Sequence, residues 1–458
     1  MVWTNKLWKE EDTMQGDLTK DNILKTLIRF SVPYLLACFL QTFYGLADLF
    51  LAGRYCGKVA ITAISVGSQI MHMVTVVIVG LGMGTTVMVA RRLGAGAGAG
   101  VKKAIGNSFL LFLLLAAVLT ALLAGNTTGI CTIMSVPEEA MSEAVVYLFL
   151  CFLGVPFIFG YNGICSVFKG FGDTKSPLVI VAVSGVINIV LDIVFMGHLG
   201  FGAGGAAIAT ITAQGVSFLS ALLVFLRKDR GVKLSLADFR PDKDVLKGIL
   251  GTGCPIAVQD GVIQISFLVI TGIVNGLGVD IAASVGIVEK LICFLFLVPS
   301  SMLASISAIG AQNAGAGLHR RAKKVLFLGT GLCIGYGVLA ALVCNMIPGT
   351  ILSLFVKEEP EVIRLGTQYL RTYVFDCVFA GIHFCFSGYF CAYERAKLSF
   401  LHNLISALAV RIPLAWLAAS LQPEGLTLMG LAAPMGSLVS ALICVILYRA
   451  AFRNPEKT

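Results

Sequence analysis

The chain has 458 residues, 57% hydrophobic and 13% charged, with a mean hydropathy of +0.90. A soluble domain is roughly a quarter charged, so this composition excludes a soluble globular enzyme and assigns most of the chain to a membrane. The formal charge of +9 does not indicate a nucleic-acid partner, because the basic residues alternate with apolar runs instead of covering one face.

In chain order, residues 1–29 carry Lys6, Lys9, Lys20, Lys25 and Arg29 with no long apolar stretch or cleavage site, and read as a cytoplasmic segment. Apolar runs then predict helices over 30–53, 59–93, 104–125, 140–168, 177–197 and 204–226. A basic stretch over 227–247, containing Pro241, reads as a cytoplasmic linker. Six more helices follow over 248–273, 280–312, 324–348, 361–391, 398–420 and 428–451, with a cytoplasmic tail at 452–458. The expected fold is an all-α integral membrane protein of twelve transmembrane helices, in two six-helix lobes over 30–226 and 248–451. If both termini are cytoplasmic, the inside segments hold 27 Lys and Arg, against four outside, namely Arg54, Lys58, Lys357 and Arg364. That split follows the positive-inside rule and places Cys131 at an external helix end. The thirteen cysteines form no C-x-x-C pair, and Cys38, Cys151, Cys293 and Cys444 read as packed thiols within apolar runs.

The two halves match at a constant offset. Pro33 and Pro255 are 222 positions apart, as are Tyr147 and Tyr369, Phe168 and Phe390, and Lys175 and Lys397. Gly57 and Gly278 are 221 apart, as are Gly94 and Gly315, and Lys102 and Lys323. Six helices separate equivalent positions, so the halves keep one membrane orientation, which implies parallel repeats with a binding cavity expected between lobes.

Polar residues inside the apolar runs mark the chemistry, because an Asp near the middle of a membrane helix costs roughly 2.5 to 3.5 kcal/mol. Gln41, Tyr44 and Asp48 share one helix face, and Asn188 and Asp192 share another at i, i+4. Converging faces would make a polar pocket in the N-terminal lobe. Asn162 reads either as a further partner or as a polar packing contact. In the second half, Asp260, Glu289 and Asp376 are candidate cation or substrate contacts; Asp260 stands near the start of its helix and reads as interfacial. Glu289 and Lys290 are adjacent and so point in different directions. Gly200-Phe-Gly202-Ala-Gly204-Gly205 satisfies a dinucleotide pattern, but no strand precedes it, and it reads as a turn. The five histidines lack zinc-ligand spacing and read as core or loop residues; no Walker A sequence occurs.

Several motifs are shared with a known family. They are Gln41-Thr-Phe-Tyr44-Gly45-Leu-Ala-Asp48, Gly80-Leu-Gly82-Met-Gly84, Arg91-Arg92-Leu-Gly94, Lys169-Gly170-Phe-Gly172-Asp173-Thr174-Lys175, Asn188-Ile-Val-Leu-Asp192 and Gly205-Ala-Ala-Ile-Ala-Thr210. In order and spacing the chain resembles the multidrug and toxin extrusion family from about Asp17 to Arg449. The resemblance implies a secondary exporter of amphipathic organic cations driven by inward Na⁺ or H⁺, with no other cofactor and no nucleic-acid partner. It further implies a multi-pass protein of the plasma (inner) membrane, functional as a monomer, and a cation-coupling site at Asp48, Asn188, Asp192 and Thr210. A lipid-linked saccharide flippase has a related architecture but should want a larger, basic cavity. An integral-membrane enzyme would need a catalytic or metal cluster at one membrane face.

Overall fold

A computed structural model of the chain describes residues 17–228, 230–356 and 359–452. Lys6, Lys9, Lys357 and the end of the tail lie outside the described residues. Among those described, all regular structure is helical. Uniformly apolar sequence explains this, since in lipid a helix satisfies every backbone N–H and C=O within itself.

The first series comprises α1 (Ile23–Tyr55), α2 (Lys58–Gly94), α3 (Gly98–Gly125), the short α4 (Thr127–Ile133), α5 (Glu138–Leu153), α6 (Val155–Gly170), α7 (Lys175–Asp192) and α8 (Gly202–Arg227). The second comprises α9 (Lys243–Asn275), α10 (Val279–Leu295), α11 (Leu297–Gly315), α12 (His319–Met346), the short α13 (Pro348–Ser353), α14 (Pro360–Tyr373), α15 (Asp376–Ala392), α16 (Ala396–Ile405), α17 (Ile412–Leu421) and α18 (Thr427–Ala451). Among the described residues, ten spans are long and apolar enough to cross a membrane, counting α10 with α11 and α16 with α17 as continuous. The pairs α5/α6 and α14/α15 bend by 42° and 41°, and taking each as one broken span gives twelve. The chain is therefore an all-helical, multi-pass membrane protein.

Residues Val32–Leu250 form most of one compact unit, and Gly251–Thr458 with Thr19–Ser31 form the other. The internal repeat is visible in individual bonds. The Thr86 hydroxyl donates to the Ser166 carbonyl at 3.0 Å, and its equivalent Ser307 donates to the Gly388 carbonyl at 3.1 Å. The second span of each unit ends in the same way, with Ala97 N–H donating to Arg92 O at 3.1 Å and Leu318 N–H to Asn313 O at 2.8 Å. Both ends need a left-handed residue to close the last turn, and Gly96 (φ +67°) and Gly317 (φ +72°) supply it.

Cys131 is fully buried in the short α4 that follows α3. Two expectations are corrected. Cys293 is exposed on α10 instead of packed. Asp260 sits midway along the 33-residue α9, not at a helix start, since it already lies at the middle of the apolar run 248–273.

Candidate functional site

The site in the first unit is assembled by a close approach of α1 and α7. The Tyr44 ring lies where a Cβ on Gly185 would stand, so only glycine allows this contact. The Tyr44 hydroxyl also reaches the Ala182 carbonyl at 3.5 Å. One turn beyond Tyr44 comes Asp48; one and two turns beyond Gly185 come Asn188 and Asp192. The contact therefore sets the two polar faces in register.

Asn188 Nδ2 donates to Asp192 Oδ2 at 3.3 Å. Asp48 and Asp192 come within hydrogen-bonding reach of each other. Asp192 is fully buried and Asp48 half-buried, and the Oδ1 atom of each is buried without a hydrogen-bond donor among the described residues. Two facing carboxylates in low dielectric repel unless something positive stands between them. A single proton, or a small monovalent cation bound by oxygens, meets that need.

Other predicted residues fall at varying distances from this pair. Gln41 is exposed. Thr210 is half-buried on α8 and makes no hydrogen bond to either carboxylate among the described residues. Asn162 donates to Ile158 O at 2.9 Å within its own helix, the packing alternative. Tyr147, whose sequence signal was only its repeat match, belongs to the neighbourhood: it lies within electrostatic range of Asp48, and its hydroxyl meets Ser68 Oγ at 3.3 Å. In the second unit Asp376 is buried at the start of α15, while Glu289 is half-buried on α10 beside the exposed Lys290. Asp260 is half-buried on α9 and takes a 3.5 Å bond from Gln259. Among the described residues, no three His, Cys, Asp or Glu side chains group as metal ligands.

Outside the spans, Asp173 ties down the turn between α6 and α7. Its Oδ2 faces Lys228 Nζ at 3.2 Å and Arg230 Nη2 at 3.3 Å; Ser176 donates its N–H to Oδ1 at 3.0 Å and its Oγ–H to Oδ2 at 2.7 Å. Burial alone would raise this carboxyl, but Lys228, the Ser176 bonds and Arg230 outweigh burial and hold it below its usual range. The Arg230 guanidinium also stacks over Phe168 at 4.4 Å.

A buried acidic pair inside a bundle built as two copies of one six-span unit has the form of a membrane transporter. Comparison with known proteins makes this specific. The MatE family model matches residues 33–194 and 255–417, two stretches that begin 222 positions apart. The chain belongs to the MatE family, whose members are transporters and not enzymes. It is 29% identical to the probable multidrug resistance protein YpnP of Bacillus subtilis over 441 residues, covering 94% of this chain and 96% of the relative. It is 24% identical to a protein named FAD transporter from Shewanella oneidensis, covering 92% and 94%. The fold matches the outward-facing structure of a multidrug resistance MATE family transporter of the MOP superfamily, with a TM-score of 0.91 at 21% identity, covering 98% of this chain and all of that one.

Proposed function

We propose that the protein is a secondary exporter that exchanges amphipathic organic cations for inward Na⁺ or H⁺ by alternating access, with Asp48 and Asp192 as the coupling pair. The observation that carries this reading is the meeting of two carboxylates whose buried Oδ1 atoms have no donor among the described residues. Asn188 orients Asp192 through its 3.3 Å bond, and Thr210 is the further hydroxyl on the adjacent helix. The split of 27 basic residues inside against four outside supports cytoplasmic termini in a plasma (inner) membrane, with 227–247 as the inside linker.

Moving one charge against 100 mV costs about 2.3 kcal/mol, and one entering monovalent ion returns the same amount. A one-for-one exchange of monovalent cations is therefore electroneutral, and each pH unit contributes about 1.36 kcal/mol of drive. Asp48→Asn and Asp192→Asn keep the side-chain shape but remove the switchable charge. Each variant should lose gradient-driven efflux from sealed vesicles, under separately imposed pH and Na⁺ gradients, while retaining abundance and equilibrium substrate binding. Coupling retained at the wild-type level in both variants rejects the site.

The name of the Shewanella relative favours a second reading, export of a flavin dinucleotide. The same vesicles loaded with FAD or with an amphipathic cation separate the two readings. Gradient-driven exit of FAD alone would replace the cation reading.

A further inference from the structure

The second span of each unit turns a polar face outward. In α2 the exposed residues between Ile61 and Val76 are Ser65, Ser68, Gln69 and His72, all on one side of the helix at spacings of three and four. No large apolar side chain is exposed between Tyr55 and Val77. A span that meets lipid looks different, as α3 does with Leu113 69%, Leu114 60% and Leu122 56% exposed. The second unit repeats the pattern. There α10 and α11 together run Val279–Gly315, each end 221 positions from the matching end of α2, and no large apolar side chain is exposed between Val279 and Leu318. The exposed residues of α10 beyond Ile281 are Ala283, Lys290 and Cys293, again on one side. Gln69 and Lys290 are equivalent at an offset of 221, as are His72 and Cys293. Each stands about 16 Å or more along its helix, within a hydrocarbon core of roughly 30 Å. Exposed polar groups at that depth face water, because lipid offers them no partner.

The two wetted faces differ in charge. The first offers hydroxyls, an amide and an imidazole, whereas the second offers an ammonium, that of Lys290. Lys290 makes no hydrogen bond or ion pair among the described residues. Its neighbour Glu289 does not supply one, since adjacent residues on a helix point about 100° apart. A cargo that is only a cation is repelled by this ammonium. A carboxylate on the cargo instead pairs with it through charge-assisted hydrogen bonds.

We infer that Lys290 selects cargo bearing an acid group, so that the organic cations this protein exports are zwitterions with a carboxylate. This rests on the cation reading above and narrows it. The probe is a fluorescent rhodamine in two forms, an ethyl ester that is purely a cation and the free acid that is a zwitterion. Equilibrium binding to full-length protein in lipid nanodiscs, with no gradient imposed, should favour the acid by about tenfold. Lys290→Met should bring the two forms level, Lys290→Arg should keep the preference, and Lys290→Glu should reverse it. Cys293, one turn along the same face, gives a second readout in the wild-type protein. Peptide mapping after treatment with a charged methanethiosulfonate should find this thiol labelled from water, and bound acid should slow the labelling more than bound ester. That measurement decides the matter if the Lys290 variants do not fold. Equal binding of the two forms by the wild type, or an acid preference kept by folded Lys290→Met protein, overturns the inference and leaves the cation reading standing. So does a Cys293 thiol that resists the charged reagent. Failure of the cation reading itself shows differently, as binding of neither form, which removes the zwitterion class with it.

Discussion

Asp173 shows what a carboxylate can do once it is paired. Its side chain is 4% exposed and is held by two cations and two bonds from Ser176. Removing one partner of a buried pair costs about 3 kcal/mol. Asp173→Asn should therefore lower the thermal midpoint in detergent. The sign of the pH effect follows from its depressed native value. The stabilisation is full at neutral pH, declines as pH falls past about 3.9, where the unfolded carboxyl protonates, and is lost below the native value. The Asn variant should lack that acid-dependent loss; an unchanged acid limb in a thermal scan would show that Asp173 does not supply it. Asp48 and Asp192 were legible in sequence because an acid inside an apolar run is costly. Gly185 was not, since a glycine in a membrane helix reads as generic close packing until the Tyr44 ring is seen lying on it. Thr210 shows the converse: its candidacy came from resemblance alone, and no hydrogen bond joins it to the pair among the described residues.

Among the elements, the apolar runs located each span to within seven residues at either end, but did not reveal the breaks at Gly154 and at Val374-Phe375. The first break carries a readable signal in Pro156, at the second position of α6, whereas the second has no proline and hydropathy runs straight through it. The short α4 and α13 were hidden for a related reason, because one or two helical turns give too little periodicity to read. His402, which read as a core or loop residue, joins three helices. Its Nε2 meets Ser387 Oγ of α15 at 3.0 Å and its Nδ1 meets Ser440 Oγ of α18 at 2.7 Å, all three residues being buried. A neutral imidazole donates through one nitrogen and accepts through the other, so one serine gives and one receives. His402→Ala should cost roughly 2 to 4 kcal/mol through the cavity and the stranded hydroxyls. Gln offers both a donor and an acceptor, so His402→Gln should fall between Ala and wild type in thermal midpoint. An Ala variant as stable as the wild type would mean that the serines find other partners at no cost.

For the whole molecule, orientation is the first quantity to measure. Cys131 is buried, so an impermeant thiol reagent needs another target, and Cys56 is half-buried in the turn between α1 and α2. A variant retaining only Cys56 should label in intact cells; labelling only after the cytoplasmic face is opened reverses the assigned topology. The repeat bears on the history of the chain as well as on its shape. A Cβ on Gly170 would stand 2.8 Å from Val89 Cβ, and in the equivalent contact a Cβ on Gly310 would stand 2.9 Å from Ala392 Cβ. The short side has changed helices, from the fourth span in one half to the second span in the other. After a duplication, such an exchange requires both partners to change, because a single step leaves either a void or an overlap. The halves are thus no longer spare parts for each other. Grafting α15 in place of α6 would press Ala392 into Val89, and grafting α6 in place of α15 would leave two glycines facing a gap.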